Sequence, residues 1–158
     1  MKQMTKFLLS FIIPFGAAII GSFFTGDASS TWYLELQKVW FTPPGWVFSP
    51  VWITLYLLMG LALYLVWKEG WEIKCVKVGM TLFFIQLVLN ALWSILFFGL
   101  QLPLYAFIDI ILLWIAIIAT IVPFYRVSER AAFLMVPYLL WITFAAILNF
   151  YIVYLNIW

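Results

Sequence analysis

Five long stretches without a charged residue, or with a single one, limit what this chain can fold into. A helix needs about 20 apolar residues to cross the roughly 30 Å hydrocarbon core of a bilayer. Residues 7–26 make the first such stretch, between Lys6 and Asp27. The second uncharged stretch, 39–67, carries Pro43 and Pro44 near its start. Proline suits a first helical turn and disfavours helix just before it, so this span is expected over 44–67. The third runs over 78–102 and is stopped by Pro103, and the fourth covers 104–125 with Asp109 as its one interruption. The fifth covers 131–156, with Pro137 near its beginning. The expected fold class is all-α, an integral membrane bundle of five transmembrane helices that takes up residues 1–158 as one domain. Of the connections, only 27–43 is long enough to carry structure. It is expected to form a lid, with Thr31 or Ser30 capping a short helix through Lys38.

Composition agrees. The chain is 68% hydrophobic and 9% charged, more apolar surface than a soluble domain of 158 residues can bury. It has no histidine, which removes Ser-His-Asp chemistry, His-ligated zinc and His-ligated haem. A single cysteine, Cys75, permits neither an internal disulfide nor a Cys metal cluster, so no metal site is expected. A net charge of +2 does not point to nucleic acid. The basic residues report topology instead. Lys2, Lys6, Lys68, Lys74, Lys77, Arg126 and Arg130 fall on the N-terminal side of the spans, and only Lys38 falls on the other. The positive-inside rule then puts the N-terminus in the cytoplasm. The first apolar run exceeds a signal-peptide core and is followed by no clear small-x-small cleavage site, so it reads as a retained span.

The tryptophans divide by depth. Trp67 and Trp71 suit a cytoplasmic interfacial belt, and Trp32, Trp40, Trp46 and Trp158 an outer one. Trp52, Trp93, Trp114 and Trp141 fit neither. With a rise of about 1.5 Å per residue, Trp52 lies roughly 12 Å and Trp93 roughly 14 Å below the outer ends of their spans, and Trp141 deeper still. Gln86, Asn90, Asp109, Asn149 and Ser49 are the polar groups inside or at the outer part of spans. Such groups usually face the bundle interior or a wet cavity. Helical spacing sorts them into stripes: Ser49, Trp52 and Tyr56; Gln86, Asn90, Trp93 and Phe97; Tyr105, Asp109 and Leu112; Trp141, Phe144, Ala145, Leu148 and Asn149. Polar side chains gain nothing from lipid, so all four stripes are expected to turn inward and converge in the outer half of the bundle under the lid. Two readings of that convergence stay open: a packed aromatic core glued by polar groups, or a pocket for a flat apolar ligand.

Motifs then point to a family. Trp32-Tyr33, Leu36, Lys38, Phe41, Pro43-Pro44, Trp46, Phe48, Pro50-Val51-Trp52 and Leu55-Tyr56 resemble the first-loop and second-helix signature of the TspO/MBR family. That family comprises the tryptophan-rich sensory and translocator proteins, formerly called peripheral-type benzodiazepine receptors. The run 86–94, then Phe97-Phe98-Gly99, Asp109, Pro137-Tyr138-Leu139-Leu140-Trp141, Ala145 and Leu148-Asn149 are similar to it too, and the chain looks like a bacterial member. The resemblance implies a five-helix bundle, commonly a homodimer. It implies binding of porphyrins such as protoporphyrin IX and of isoquinoline carboxamide or benzodiazepine-type ligands. Some members are associated with light-dependent oxidative porphyrin breakdown, and transport or ligand sensing without catalysis is the alternative.

By motif position, the resemblance implies ligand contacts at Ser49, Val51, Trp52, Asn90, Trp93, Tyr105, Ile108, Trp141, Phe144, Ala145 and Leu148. Trp32, Pro44 and Trp46 of the signature and the intramembrane Asp109 complete the candidate ligand set. Trp52 and Trp141 are the candidate redox indoles, and Lys38 a candidate partner for ligand carboxylates. No obligatory cofactor is expected, and a chain without histidine suits a metal-free porphyrin as ligand or substrate. Two departures stand out. Val39 replaces the proline that commonly follows the first-loop lysine. No Lys or Arg follows Tyr151 or Tyr154, so the animal sterol motif is absent and cholesterol is not an expected partner. Ala17 with Gly21, and Ala18 with Ser22, are small-xxx-small pairs on the first span that suit either a dimer face or close packing inside one bundle.

Overall fold

The computed structural model describes residues 1–28 and 31–156. The Ser30 cap and the outer-belt position of Trp158 lie outside the described residues. Helices α1 (Gln3–Ala28), α2 (Trp32–Glu35), α3 (Phe48–Trp67), α4 (Lys74–Ser94), α5 (Pro103–Val127) and α6 (Glu129–Leu155) account for most of the chain. No strand occurs among the described residues. Every helix except α2 belongs to a segment long and apolar enough to cross a membrane, which makes this a multi-pass membrane protein. Helices suit that setting because each residue's N–H and C=O are satisfied within the segment.

The five long helices close a ring. α1 packs on α3 and on α4, α3 on α6, α6 on α5, and α5 back on α4. The shared core runs through Met59, Leu63, Phe83, Ile117, Phe124, Met135 and Tyr138, none measurably exposed. Two glycines let helices approach. A Cβ on Gly60 would sit 2.5 Å from the Phe11 ring of α1, and one on Gly79 would sit 2.8 Å from the Phe124 ring of α5. Gly21 faces Ser94 of α4, and Ala17 and Ala18 pack on the core. Of the small residues paired on α1, Ala17, Ala18 and Gly21 thus pack inside the bundle, while Ser22 is exposed.

Several boundaries differ from the sequence expectation, each for a local reason. The second membrane helix starts at Phe48 rather than near Pro44, because residues Gly45–Val47 first make a 3-10 turn. Pro50 then occupies the first helical turn, where its missing N–H costs nothing. α4 begins at Lys74, and its membrane segment ends through a π turn, Ile95–Gly99, marked by the Leu100 N–H donating to the Ile95 carbonyl at 2.8 Å. The π turn places Phe97 in the interior. Pro103 opens α5 at its first position. α6 starts two residues early because Ser128 is a working N-cap: its hydroxyl accepts the Ala131 N–H at 3.3 Å, with Glu129 favourable in the first turn. In the first loop, α2 is a single turn that ends at Glu35, not at Lys38. Thr31 makes no side-chain cap, and Leu36 is already extended. At the opposite end of the bundle, Lys6 donates to the Trp67 carbonyl at 3.2 Å, placing a cation on the C-terminus of α3.

Candidate functional site

Four of the polar side chains marked by their position inside spans are buried: Gln86, Asn90, Asp109 and Asn149 are 0%, 5%, 4% and 1% exposed. Three of them hold helices together. The Tyr56 hydroxyl of α3 donates to Asn90 Oδ1 at 2.7 Å, and Asn90 Nδ2 of α4 donates to the Tyr138 hydroxyl of α6 at 2.7 Å. Tyr138 in turn donates to Gln86 Oε1 at 2.8 Å. This chain of bonds ties three helices through the bundle centre. Nearer the α5 start, Trp93 Nε1 donates to Asn149 Oδ1 and Asn149 Nδ2 to the Pro103 carbonyl, both at 3.0 Å. Asn90 and Trp93, both candidate ligand contacts, thus spend their polar atoms on neighbouring helices. Trp114, which had no evident role in the sequence, donates its indole N–H to Thr143 of α6 at 2.9 Å.

An aromatic wall forms where α3, α6 and the first loop meet. Trp141 lies between Phe48 and Phe144, with ring centroids 5.8 and 5.7 Å away. Trp52 stacks on Tyr56 at 5.6 Å and meets Tyr138 at 6.3 Å, one helical turn from Trp141. Phe41 from the loop packs on Phe144 and Tyr151. Val51, Trp52, Phe144 and Ala145 are half-buried along this wall, and Leu148 is buried. Phe41, Phe48, Tyr138 and Tyr151 were not candidate contacts. Phe48 and Tyr138 could have been found as aromatics one turn from Trp52 and Trp141, whereas Phe41 in the loop and Tyr151 carry no such local signal.

Other expected residues lie elsewhere. Tyr105, Ile108 and Leu112 are 58%, 53% and 51% exposed, so of the fourth-span stripe only Asp109 turns inward. The buried arc of α5 is Ala106, Asp109, Ile110, Leu113 and Ile117, and Asp109 sits on its flank. Ser49 is exposed one turn above Trp52, Trp46 is exposed within the 3-10 turn, and Pro44 is exposed just before it. Trp32 is half-buried against Phe97, at 5.5 Å, away from the wall.

The first loop is fastened at two places. Trp32 and Tyr33 pack on Phe97, and Tyr33 on Phe98. The Gln37 N–H donates to Asn156 Oδ1 and the Gln37 carbonyl accepts from Asn156 Nδ2, both at 2.9 Å and 119 residues apart in sequence. Leu36 fills the space between, buried with Phe97, Ala106 and Ile152. The Lys38 ammonium lies 4.4 Å above the Tyr33 ring and donates to the Leu36 carbonyl at 3.1 Å. Partial burial lowers its pKa, and burial raises that of Tyr33.

Among the described residues, three buried side-chain atoms have no protein partner: both carboxylate oxygens of Asp109 and Trp141 Nε1. Buried polar groups normally find one, and an unpaired buried charge is costly. A residue kept at such cost is typical of sites that bind rather than of packing. Asp109→Leu is expected to stabilise the bundle by about 1 kcal/mol or more, since an apolar residue of similar size removes that cost. Reversible unfolding in mixed micelles checks this, and a clear loss of stability would show Asp109 to be bundle glue.

Comparison with known proteins places the chain. The model of the TspO/MBR family matches residues 10–155. The tryptophan-rich protein TspO of Archaeoglobus fulgidus is 49% identical over 152 residues, covering 96% of this chain and 97% of its own length. The tryptophan-rich protein TspO of Chlorobaculum tepidum is 46% identical over 155 residues, covering 98% of both. The translocator protein of Homo sapiens is 43% identical over 141 residues, 88% of this chain and 83% of its own.

Proposed function

The chain belongs to the TspO/MBR family, and from that premise we propose that it binds a metal-free tetrapyrrole such as protoporphyrin IX against the aromatic wall of α3, α6 and the first loop. The observation that carries the reading is the buried, unpartnered indole N–H of Trp141 between two phenylalanine rings. Flat apolar ligands are held by ring faces plus a few convergent polar groups. A porphyrin offers both parts: a broad π-surface for Phe48, Trp52, Trp141 and Phe144, and acceptor atoms for Trp141. Its own carboxylates would turn toward the fastened loop and Lys38. The same wall suits isoquinoline carboxamide or benzodiazepine-type ligands, whose carbonyl is the matching acceptor.

The second part of the proposal is light-dependent oxidation of the bound pigment, with dioxygen as oxidant. The pigment supplies light absorption and reactivity, and the protein supplies position. Trp52 and Trp141 stand on neighbouring helices and are the indoles able to relay charge. The setting is a cell membrane with the N-terminus in the cytoplasm, supported by seven of eight basic residues on that side.

Titration of the purified protein with protoporphyrin IX in the dark is expected to quench tryptophan emission saturably, at one pigment per chain. Illumination is then expected to produce a new absorption band. Linear, non-saturating quenching would reject the site. Saturable quenching with no spectral change in light would leave binding and reject oxidation. Pigment flux into liposomes would instead favour transport.

A further inference from the structure

Away from the aromatic wall, at the end of the bundle where the basic residues gather, α4 and α5 leave an open groove between them. Its volume is about 490 Å³. Lys74, the first residue of α4, and Arg126, in the last turn of α5, stand at its mouth. Below them the lining is apolar: Val78 and Leu82 on α4, Val122 and Ala119 on α5. Lys74, Val78 and Leu82 are spaced i, i+4, i+8, so one edge runs roughly 12 Å down the helix axis toward the membrane interior. The opposite edge, Arg126, Val122 and Ala119, descends in parallel on the antiparallel neighbour. Pro123 also lines the groove, and with Phe124 it packs closely on Gly79 of α4.

Both cations are exposed, and neither forms an ion pair among the described residues, where the one ion pair is Lys68 with Glu69. Glu72 and Glu129 lie at the same end of the bundle, beyond 4 Å of either cation. Topology alone explains why basic residues gather at this end. It does not explain why two of them stand at the mouth of an apolar groove between two helices.

We propose that this groove is a binding site for an anionic phospholipid, with the headgroup phosphate held by Lys74 and Arg126 and one acyl chain lying along Val78, Leu82, Ala119 and Val122. Charge complementarity selects this occupant. Basic pockets between transmembrane helices suit anionic headgroups, whereas a zwitterionic lipid offers no net charge. A second copy of the chain, docked about a two-fold axis, would bring the same cations to the same surface.

The test uses the full-length protein in detergent, titrated with phosphatidylglycerol or phosphatidylcholine of matched chains. Bound lipid is counted by native mass spectrometry. Phosphatidylglycerol is expected to be retained selectively. Lys74→Gln with Arg126→Gln should weaken its retention about tenfold or more, while Lys2→Gln with Lys68→Gln, which removes equal charge from the same end, should not. Ala119→Trp fills the groove with both cations intact and is expected to lose the lipid as well. If that variant does not fold, the charge pair still decides. Equal retention of the two lipids, parent-level retention by the Lys74/Arg126 variant, or equal loss in both charge pairs would overturn the site. So would a dimer that Ala119→Trp dissociates while leaving lipid retention unchanged. Porphyrin binding does not enter the readout, so failure here is separate from failure of the aromatic-wall reading.

Discussion

Trp52→Phe combined with Trp141→Phe is expected to slow light-driven oxidation of bound protoporphyrin IX by about tenfold or more, a barrier change of about 1.4 kcal/mol or more. Dark binding should weaken only modestly, because phenylalanine keeps an aromatic face of similar kind and only the Trp141 donor is lost. The two positions are not equivalent. Trp141 lies between Phe48 and Phe144 with its N–H unpartnered, so Trp141→Phe also removes a donor from the ligand. Trp52 stacks on Tyr56 at 29° between ring planes and contributes mainly surface and redox capacity. The expected pattern is a modest rise in dark dissociation constant for Trp141→Phe alone, and none for Trp52→Phe. Both should lower the photochemical rate per bound pigment. The measurement is absorbance loss at saturating pigment under fixed illumination, corrected for occupancy. A parent rate in the double variant would remove the indoles from the chemistry and leave them as packing.

How far the sequence carries this site depends on which signal is read. Span existence was legible, because charge-free length has one interpretation in a membrane. Span ends were less so. Ser128 caps α6 next to charged residues outside the charge-free stretch, and the helix expected from Pro44 starts at Phe48, with Pro50 in its first turn. Facing was legible through the polar residues deep in a span, but not through Ser49 near a span end, which is exposed. Gln86, Asn90, Asp109 and Asn149 all point inward, as their cost in lipid requires. Apolar and aromatic residues carry no such information, since lipid and core are equally apolar to them. That is why Tyr105 and Leu112, grouped with Asp109 by spacing alone, prove to lie on the exposed face of α5. Pairings across helices, such as Trp114 with Thr143 or Gln37 with Asn156, require the relative register of two distant segments. No local pattern encodes it.

The polar chain through the centre sets the second large effect. Asn90→Leu is expected to destabilise the bundle by about 2 kcal/mol, because it removes two hydrogen bonds and leaves the buried Tyr56 and Tyr138 hydroxyls short of partners. Single interhelical hydrogen bonds in membranes average less than this. Asn90 differs in bonding two helices at once from a third, and Tyr138 passes the connection on to Gln86. Tyr138→Phe should cost a comparable amount, since its hydroxyl both accepts and donates. The double variant should cost less than the sum, as both remove the same Asn90–Tyr138 bond. Reversible unfolding in mixed micelles measures all three. The same variant separates two roles for Asn90. Trp52 packs on both tyrosines, so a structural Asn90 predicts that stability and porphyrin affinity fall together, with affinity recovering in Asn90→Gln to the extent that stability does. An Asn90 that touches the ligand itself predicts lost affinity at parent stability. A change under about 0.5 kcal/mol in Asn90→Leu would mean that the unfolded chain in the membrane finds equivalent partners, and that the Asn90 bonds add little to helix packing.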